Sequence, residues 1–281
     1  METSARARRE AALLKACRLD VVAFKPGNVS LCSPGHDMQA ADFLASARAA
    51  VPWLCAEELG CGARMSHAMN ATMGAVGCNT NLGIVLLLAP LACAAERGGP
   101  LRSALGAVLA GLDVLDSDGC FAAIRVAQPA GLGEVGEGDV HAQATMALGD
   151  AMALAAERDS VARQYGTVFA DVFEHGVPLL ASLRARWHSL AWATTACYLE
   201  HLARWPDSHV ARKYDEALAR AVQDAAAPLA KAVKACENPR LFADELLKFD
   251  RDLKARGVNP GTSADLTVAS VAALLLLECS S

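Results

Sequence analysis

Four polar turns hold the side chains in this sequence that could do chemistry. The first is Lys25-Pro26-Gly27-Asn28-Val29-Ser30, with His36-Asp37 shortly beyond it. The second is Asn79-Thr80-Asn81, set immediately ahead of an uncharged run that continues to Ala95. A third, around Asp207, leads to the adjacent cations Arg212 and Lys213, and the fourth is Asn259-Pro260-Gly261-Thr262-Ser263-Ala264-Asp265. Amides and hydroxyls orient a ligand by hydrogen bonds, a His–Asp pair moves protons or binds metal, and arginine and lysine hold phosphates. Each turn also has a plainer reading. Asn79 or Asn81 can cap the helix that follows, Asp37 can cap the next one along from its own turn, and Pro26-Gly27 makes an ordinary turn. The Asn-Thr-Asn triplet exceeds what one cap requires, so it is also a candidate floor of a site.

Helices must position these turns. Leu82 to Ala95 is too short, and too interrupted by Pro90, to cross a bilayer, which needs about 20 apolar residues, so a buried central helix is expected there. Helical pattern also runs from the N-terminus to Lys15 and over 39–55, 61–73, 101–115, 140–174, 179–204, 241–254 and 266–277, with a further helix opening at Asp207. The connection 116–139 carries Gly131, Gly133, Gly136 and Gly138 in a Gly-x-Gly-x-x-Gly pattern. Glu134 and Glu137 would repel a pyrophosphate, and no alternating strand–helix pattern surrounds it, so a flexible flap over the site is expected instead of a dinucleotide fingerprint. Asp150 lies in an otherwise apolar stretch and needs a partner if it is buried. Asp159 and Arg163, four apart, suit a surface ion pair.

Composition sets the class. Hydrophobic residues make up 53% of the 281 and aromatics only 5%. The surplus of alanine and leucine favours close-packed helices, since strands draw on β-branched and aromatic residues. An all-α protein is expected, one domain of about ten helices spanning residues 1–281. A net charge of −5 argues against a general nucleic-acid or anionic-membrane surface. Ten cysteines without a Cys-x-x-Cys pair, in a chain whose start reads as an amphipathic helix instead of a signal peptide, are expected to be reduced, in a cytoplasmic protein.

Taken in order, Lys25-Pro-Gly-Asn-Val, His36-Asp-Met, Asp42-Phe-Leu-Ala-Ser46, Asn79-Thr-Asn-Leu-Gly83 and Asn259-Pro-Gly-Thr-Ser-Ala-Asp265 resemble the motifs of triphosphoribosyl-dephospho-coenzyme A synthases. The resemblance runs from Lys25 to about Leu277. It implies an all-α fold and a ribosyl transfer in which ATP loses adenine and the 2′-hydroxyl of dephospho-coenzyme A takes its place. By that resemblance Lys25, Arg158, Arg212 and Lys213 would hold phosphates, with Mg²⁺ on a carboxylate such as Asp37, Asp150 or Asp159. His36 and Asp37 would serve as acid or base, and Asp265 would stabilise the ribosyl cation or activate the acceptor. Asn28, Ser30, Asn79, Asn81, Asn259 and Ser263 would bind substrate. The citrate-lyase members have Asn-Thr-His-Lys-Gly at the second turn, where this chain has Asn79-Thr80-Asn81-Leu82-Gly83, and the loss of a basic residue there admits a donor such as phosphoribosyl pyrophosphate. Ala156-Glu-Arg-Asp159 and His209-Val-Ala-Arg-Lys213 resemble a branch found in methanogens and methylotrophs, tied to carriers such as tetrahydromethanopterin or methanofuran. The partners expected are therefore a nucleotide, ATP or phosphoribosyl pyrophosphate, and a small cofactor-like acceptor, without nucleic acid or membrane and with a homo-oligomer left open. A non-catalytic nucleotide-binding helical protein is the remaining alternative.

Overall fold

Two apolar helices form the centre of the computed structural model, which describes residues 4–129 and 139–279. One is α4 (Leu82–Arg97), whose Leu87, Leu88 and Leu91 are fully buried. The other is α14 (Gly261–Cys279), buried along nearly its whole length. Removing each such leucine from water is worth roughly 1.5–3 kcal/mol, which is why these two runs sit inside while amphipathic helices wrap them. By length and hydropathy α14 could cross a membrane, but 78% of its apolar window is buried against protein. It is the core of a helical protein. The central helix expected from sequence thus has a partner of equal standing.

Around this pair pack α1 (Ala5–Val22), α2 (Ala40–Leu54), α3 (Cys61–Val76), α5 (Leu101–Ala110), α6 (Val114–Ala127), α7 (Leu148–Ala155) and α8 (Ser160–Thr167). The second half adds α9 (Val177–Trp187), α10 (Leu190–Arg204), α11 (Ser208–Lys213), α12 (Glu216–Ala235) and α13 (Ala243–Ala255). A π-helical turn, Asp171–Gly176, precedes α9, and a 3₁₀ turn, Pro239–Phe242, precedes α13. Among the described residues there is no strand, only two isolated bridges in the 30–38 turn. The fold is all-α, with fourteen α-helices among the described residues instead of about ten.

The excess comes from local signals that periodicity blurred. Residues 116–127 are not part of a flap, because Asp113 caps α6 through Leu115 and Asp116 N–H groups while Asp116 accepts from the Asp113 N–H. Gly119 inside α6 looks like a breaker but is a contact residue, since a Cβ there would overlap the backbone of Gly62 on α3. The glycines at 131, 133, 136 and 138 lie outside the described residues. The stretch 140–174 is not one helix, because Asp159 starts a new one by accepting from the N–H groups of Val161 and Ala162. Likewise 179–204 divides at His188, in left-handed conformation, with Ser189 capping α10. Helix α12, amphipathic and begun by an Asp215 cap, had no counterpart in the sequence reading.

Replacing Gly119 with alanine separates propensity from packing. Propensity alone predicts a gain of about 1 kcal/mol for alanine in a helix interior. The α3–α6 contact predicts a net loss of about 1–3 kcal/mol from overpacking, read as a lower urea midpoint with an unchanged slope.

Candidate active site

The third and fourth polar turns meet through one carboxylate. Asp207, which is buried, accepts from the His209 and Val210 N–H groups at the start of α11 through Oδ1, at 3.0 and 3.1 Å. Its Oδ2 accepts from both the N–H and the hydroxyl of Ser263 at the start of α14, at 2.8 Å each. Thr262 and Ser208 extend the seam: Ser208 donates to the Thr262 hydroxyl at 3.0 Å, the His209 N–H donates to it at 3.1 Å, and the Ser160 N–H of α8 donates to Ser208 at 3.2 Å. Three helix starts are thereby joined at one place. Their first N–H groups are taken up by the Asp207 and Asp159 carboxylates and the Ser208 and Thr262 hydroxyls, so what these starts offer the space in front of them is the positive end of their helix dipoles.

The first turn is fixed by five separate groups. Lys25, fully buried, donates to the Asp20 carboxylate at 2.7 Å and to the Asp20 carbonyl. Tyr198 donates to the Pro26 carbonyl at 2.6 Å, Asp250 on α13 accepts from the Gly27 N–H at 2.8 Å, and His36 Nε2 meets the Gly27 carbonyl at 2.8 Å. Asn28 donates to Asn259 Oδ1 at 2.8 Å, which ties this turn to the fourth. Gly27 has φ +82°, and a Cβ there would lie 2.8 Å from Leu253 and 2.9 Å from Pro260. Only glycine fits.

At the second turn the capping role falls to Asn79, whose side chain accepts from the Leu82 N–H at 3.1 Å. Asn81 is left with a buried amide oxygen that has no partner, as is Asn28. Both line the same cleft, so each is an acceptor waiting for a donor that the protein does not supply. Opposite, Asp265 presses its carboxyl against the first turn of α4 so closely that a Cβ at Gly83 would overlap Oδ2.

These turns enclose a cleft of about 1040 Å³, walled by the last turn of α1 and the starts of α4, α8, α11 and α14. Pockets for drug-sized ligands run to about 1,000 Å³, so two small substrates fit here side by side. Asp265 opens to the cleft yet lies deep in the molecule. Burial, reinforced by the charges of Asp20, Asp207 and Asp159, pushes its carboxyl well above the usual range, with Lys25 opposing. His209, also on the wall, is pushed down from the ordinary histidine value by burial, against Asp207 and with help from Arg212, Lys213 and His36.

Of the residues expected from sequence, Asn28, Asn79, Asn81, Arg158, Asp159, Arg212, Asn259 and Asp265 line this cleft. The others stand behind or away from it. Lys25 is committed to Asp20, which is itself on the wall, and Ser263 is committed to Asp207. Ser30 is buried beside Cys32, at 3.6 Å, and Lys213 is exposed over the Tyr214 ring. His36 faces the Gly27 carbonyl. Asp37 is exposed at φ +60° and caps nothing, since Asp42 takes the Gln39 N–H at the start of α2. Asp150 is exposed and needs no partner. Asp159 does not pair with Arg163: it binds Arg212 at 2.9 Å, while Arg163 binds Asp171 at 2.8 Å and stacks on Trp205. The expected metal set of Asp37, Asp150 and Asp159 is therefore not brought together, and no group of three potential ligands occurs among the described residues. Asp20, Arg163, His209 and Arg220 line the cleft without having been singled out as site residues. The one available signal was for His209, which follows the Asp207 cap by two residues.

A family model for ATP:dephospho-CoA triphosphoribosyl transferase, CitG, matches residues 6–281. The chain belongs to this family. Among solved structures the chain is similar to a crystal structure from Archaeoglobus fulgidus, provisionally assigned as a triphosphoribosyl-dephospho-coA synthase. It is 27% identical with a TM-score of 0.64, covering 82% of this chain and 97% of that one. No curated protein matches the chain significantly. In this CitG-family chain the cleft described above is where the family's quoted motifs converge.

The raised Asp265 carboxyl makes a stability prediction. A carboxyl whose folded-state value lies above its unfolded one favours the fold fully below the unfolded value of about 3.9, and that contribution is lost as pH rises through the folded value. Asp265→Asn removes the penalty of ionisation, so at pH 7 it should stabilise the protein by on the order of 1 kcal/mol. Near pH 3.5 the gain should vanish, a difference that thermal melts at the two pH values report.

Proposed function

We propose that this protein transfers a triphosphoribosyl group from ATP to the 2′-hydroxyl of dephospho-coenzyme A. The carrying observation is the convergence, in one two-substrate cleft, of the Asp265 carboxyl with the unpartnered oxygens of Asn28 and Asn81. The bond from adenine N9 to ribose C1′ breaks with its electron pair going to adenine, and the bond from the acceptor oxygen to C1′ forms. One proton reaches adenine and one leaves the acceptor. Such a displacement gains from fixed dipoles and charges aimed at the ribose while water is excluded. Asn28 and Asn81 offer acceptors to ribose hydroxyls, which locates C1′ near Asp265. Arg158 and Arg212 on the cleft wall suit the phosphate chain.

Magnesium is best read as part of the nucleotide. Of the three carboxylates expected to bind it only Asp159 faces the cleft, and its two oxygens are occupied by the α8 cap and Arg212. The residues present do not make a resident Mg²⁺ site. Mg²⁺ chelated by phosphates needs few protein ligands.

A second reading follows from the start of α4. No basic side chain faces the cleft there, because Leu82 occupies one position and Lys25 is bound to Asp20. A donor with its phosphates placed otherwise, such as phosphoribosyl pyrophosphate passing a phosphoribosyl group to a one-carbon carrier, fits that wall. Purified protein with Mg²⁺, ATP and dephospho-coenzyme A should release adenine in equal amount to an adduct carrying one triphosphoribosyl mass, both read by mass spectrometry. Asp265→Asn should slow this by 10²-fold or more while still binding ATP. Pyrophosphate release only with phosphoribosyl pyrophosphate would favour the second reading. ATP binding without turnover in either mixture would leave a nucleotide-binding protein.

A further inference from the structure

His209 lines the cleft although the motif that contains it, His209-Val-Ala-Arg-Lys213, gave it no role. Its main chain is fixed from two sides, the N–H shared between Asp207 and Thr262, while its imidazole packs against Gly261 at the start of α14. A Cβ at Gly261 would stand 2.9 Å from His209 Nδ1. Gly261 and Asp265 are four residues apart, which places them one above the other on the same face of α14, and both line the cleft. His209 is the only histidine on the cleft wall among the described residues. His36, the acid–base residue suggested by sequence, spends its Nε2 on the Gly27 carbonyl.

We infer that His209, on α11 and packed against Gly261, and Asp265, one helical turn beyond Gly261 on α14, are an acid–base pair, Asp265 protonating the departing base and His209 taking the proton of the acceptor hydroxyl. This deepens the transfer reading above and rests on it. Within the pair the proton count closes: adenine gains the Asp265 proton as the N9–C1′ bond breaks, the acceptor proton passes to His209 as the new C–O bond forms, and exchange through the open cleft returns His209 and Asp265 to their starting forms. No oxidant or further reactant is needed.

The surroundings suit the assignment. Asp265 faces Asp20 from α1, Asp159 from the α8 cap and Asp207 from the α11 cap, all anionic, with Lys25 the one cation. His209 faces Asp207, Arg212 and Lys213 on its own segment and His36 from the 30–38 turn. Burial acts on the two in opposite directions, raising the Asp265 carboxyl and lowering the His209 imidazole. Paired groups pushed apart in this way are how one site runs acid and base chemistry together.

The test is the pH dependence of kcat with ATP and dephospho-coenzyme A for the unaltered protein, His209→Gln and Asp265→Asn. The unaltered protein should give a bell, its acid limb from protonation of His209 and its alkaline limb from ionisation of Asp265. His209→Gln should lower kcat 10²- to 10⁴-fold and lose the acid limb, with KM for ATP within about threefold of the original. Asp265→Asn should lose the alkaline limb. Added imidazole should recover part of the rate of His209→Gly. An acid limb that survives in His209→Gln, or a loss confined to KM, would overturn the pairing while leaving the transfer reading intact. An independent readout is the His209 ring signal by NMR, which should shift on titration with dephospho-coenzyme A; a ring that does not respond overturns the pairing whatever the activity. Absence of adenine release by the unaltered protein would count against the transfer reading instead.

Discussion

The Asp207 carboxylate is the interaction on which this site depends. Its two oxygens are divided between the starts of α11 and α14, so one side chain satisfies four donors and holds two helices at a fixed angle. A buried carboxylate is costly unless hydrogen-bonded and paired with opposing charge or dipole. Here the opposing charge is the positive end of two helices. Everything on that side of the cleft takes its position from this point: His209 two residues after it, Arg212 one turn further, Thr262 and Ser208 in the seam, and Asp265 one turn into α14.

The opposite wall is fixed by a different device. The Lys25–Asn28 turn has almost no freedom, because its carbonyls, N–H groups and lysine are each held by another element and its glycine fits only in left-handed conformation. Each of the first two turns nevertheless leaves one buried side-chain oxygen unsatisfied. Unpartnered oxygens on Asn28 and Asn81 and an acid forced against α4 are all unfavourable in the free protein. Such groups persist where a ligand completes them, and the surrounding core of α4 and α14 is large enough to carry the cost.

Much of this was legible in the sequence because it is local. The uncharged run before Ala95 and the final apolar run had to be buried helices, and Asp207 followed by two cations had to be a capped helix start. The motif order also carried the family. What failed to show was whatever depends on a distant partner. His36-Asp37 looks like a catalytic pair in a row of letters, but His36 is turned to Gly27 by the fold and Asp37 to solvent. Lys25 looks like a free cation until Asp20, in the last turn of the helix before it, neutralises it. Gly119 imitates a loop residue because only its contact with Gly62 on α3, more than forty residues away, explains why α6 carries a glycine there.

The claim that matters is that one cleft, between the starts of α4 and α14, holds the reacting ribose. A crystal structure of the protein with ATP and Mg²⁺ tests it most directly. The account predicts the ribose seated against Asn81 and Asp265, with the phosphates running toward Arg158 and Arg212 and His209 facing the vacant acceptor space. Nucleotide bound anywhere else, such as the shallow depression near Arg184 and Glu278, or bound with its phosphates against Asp265, would contradict it.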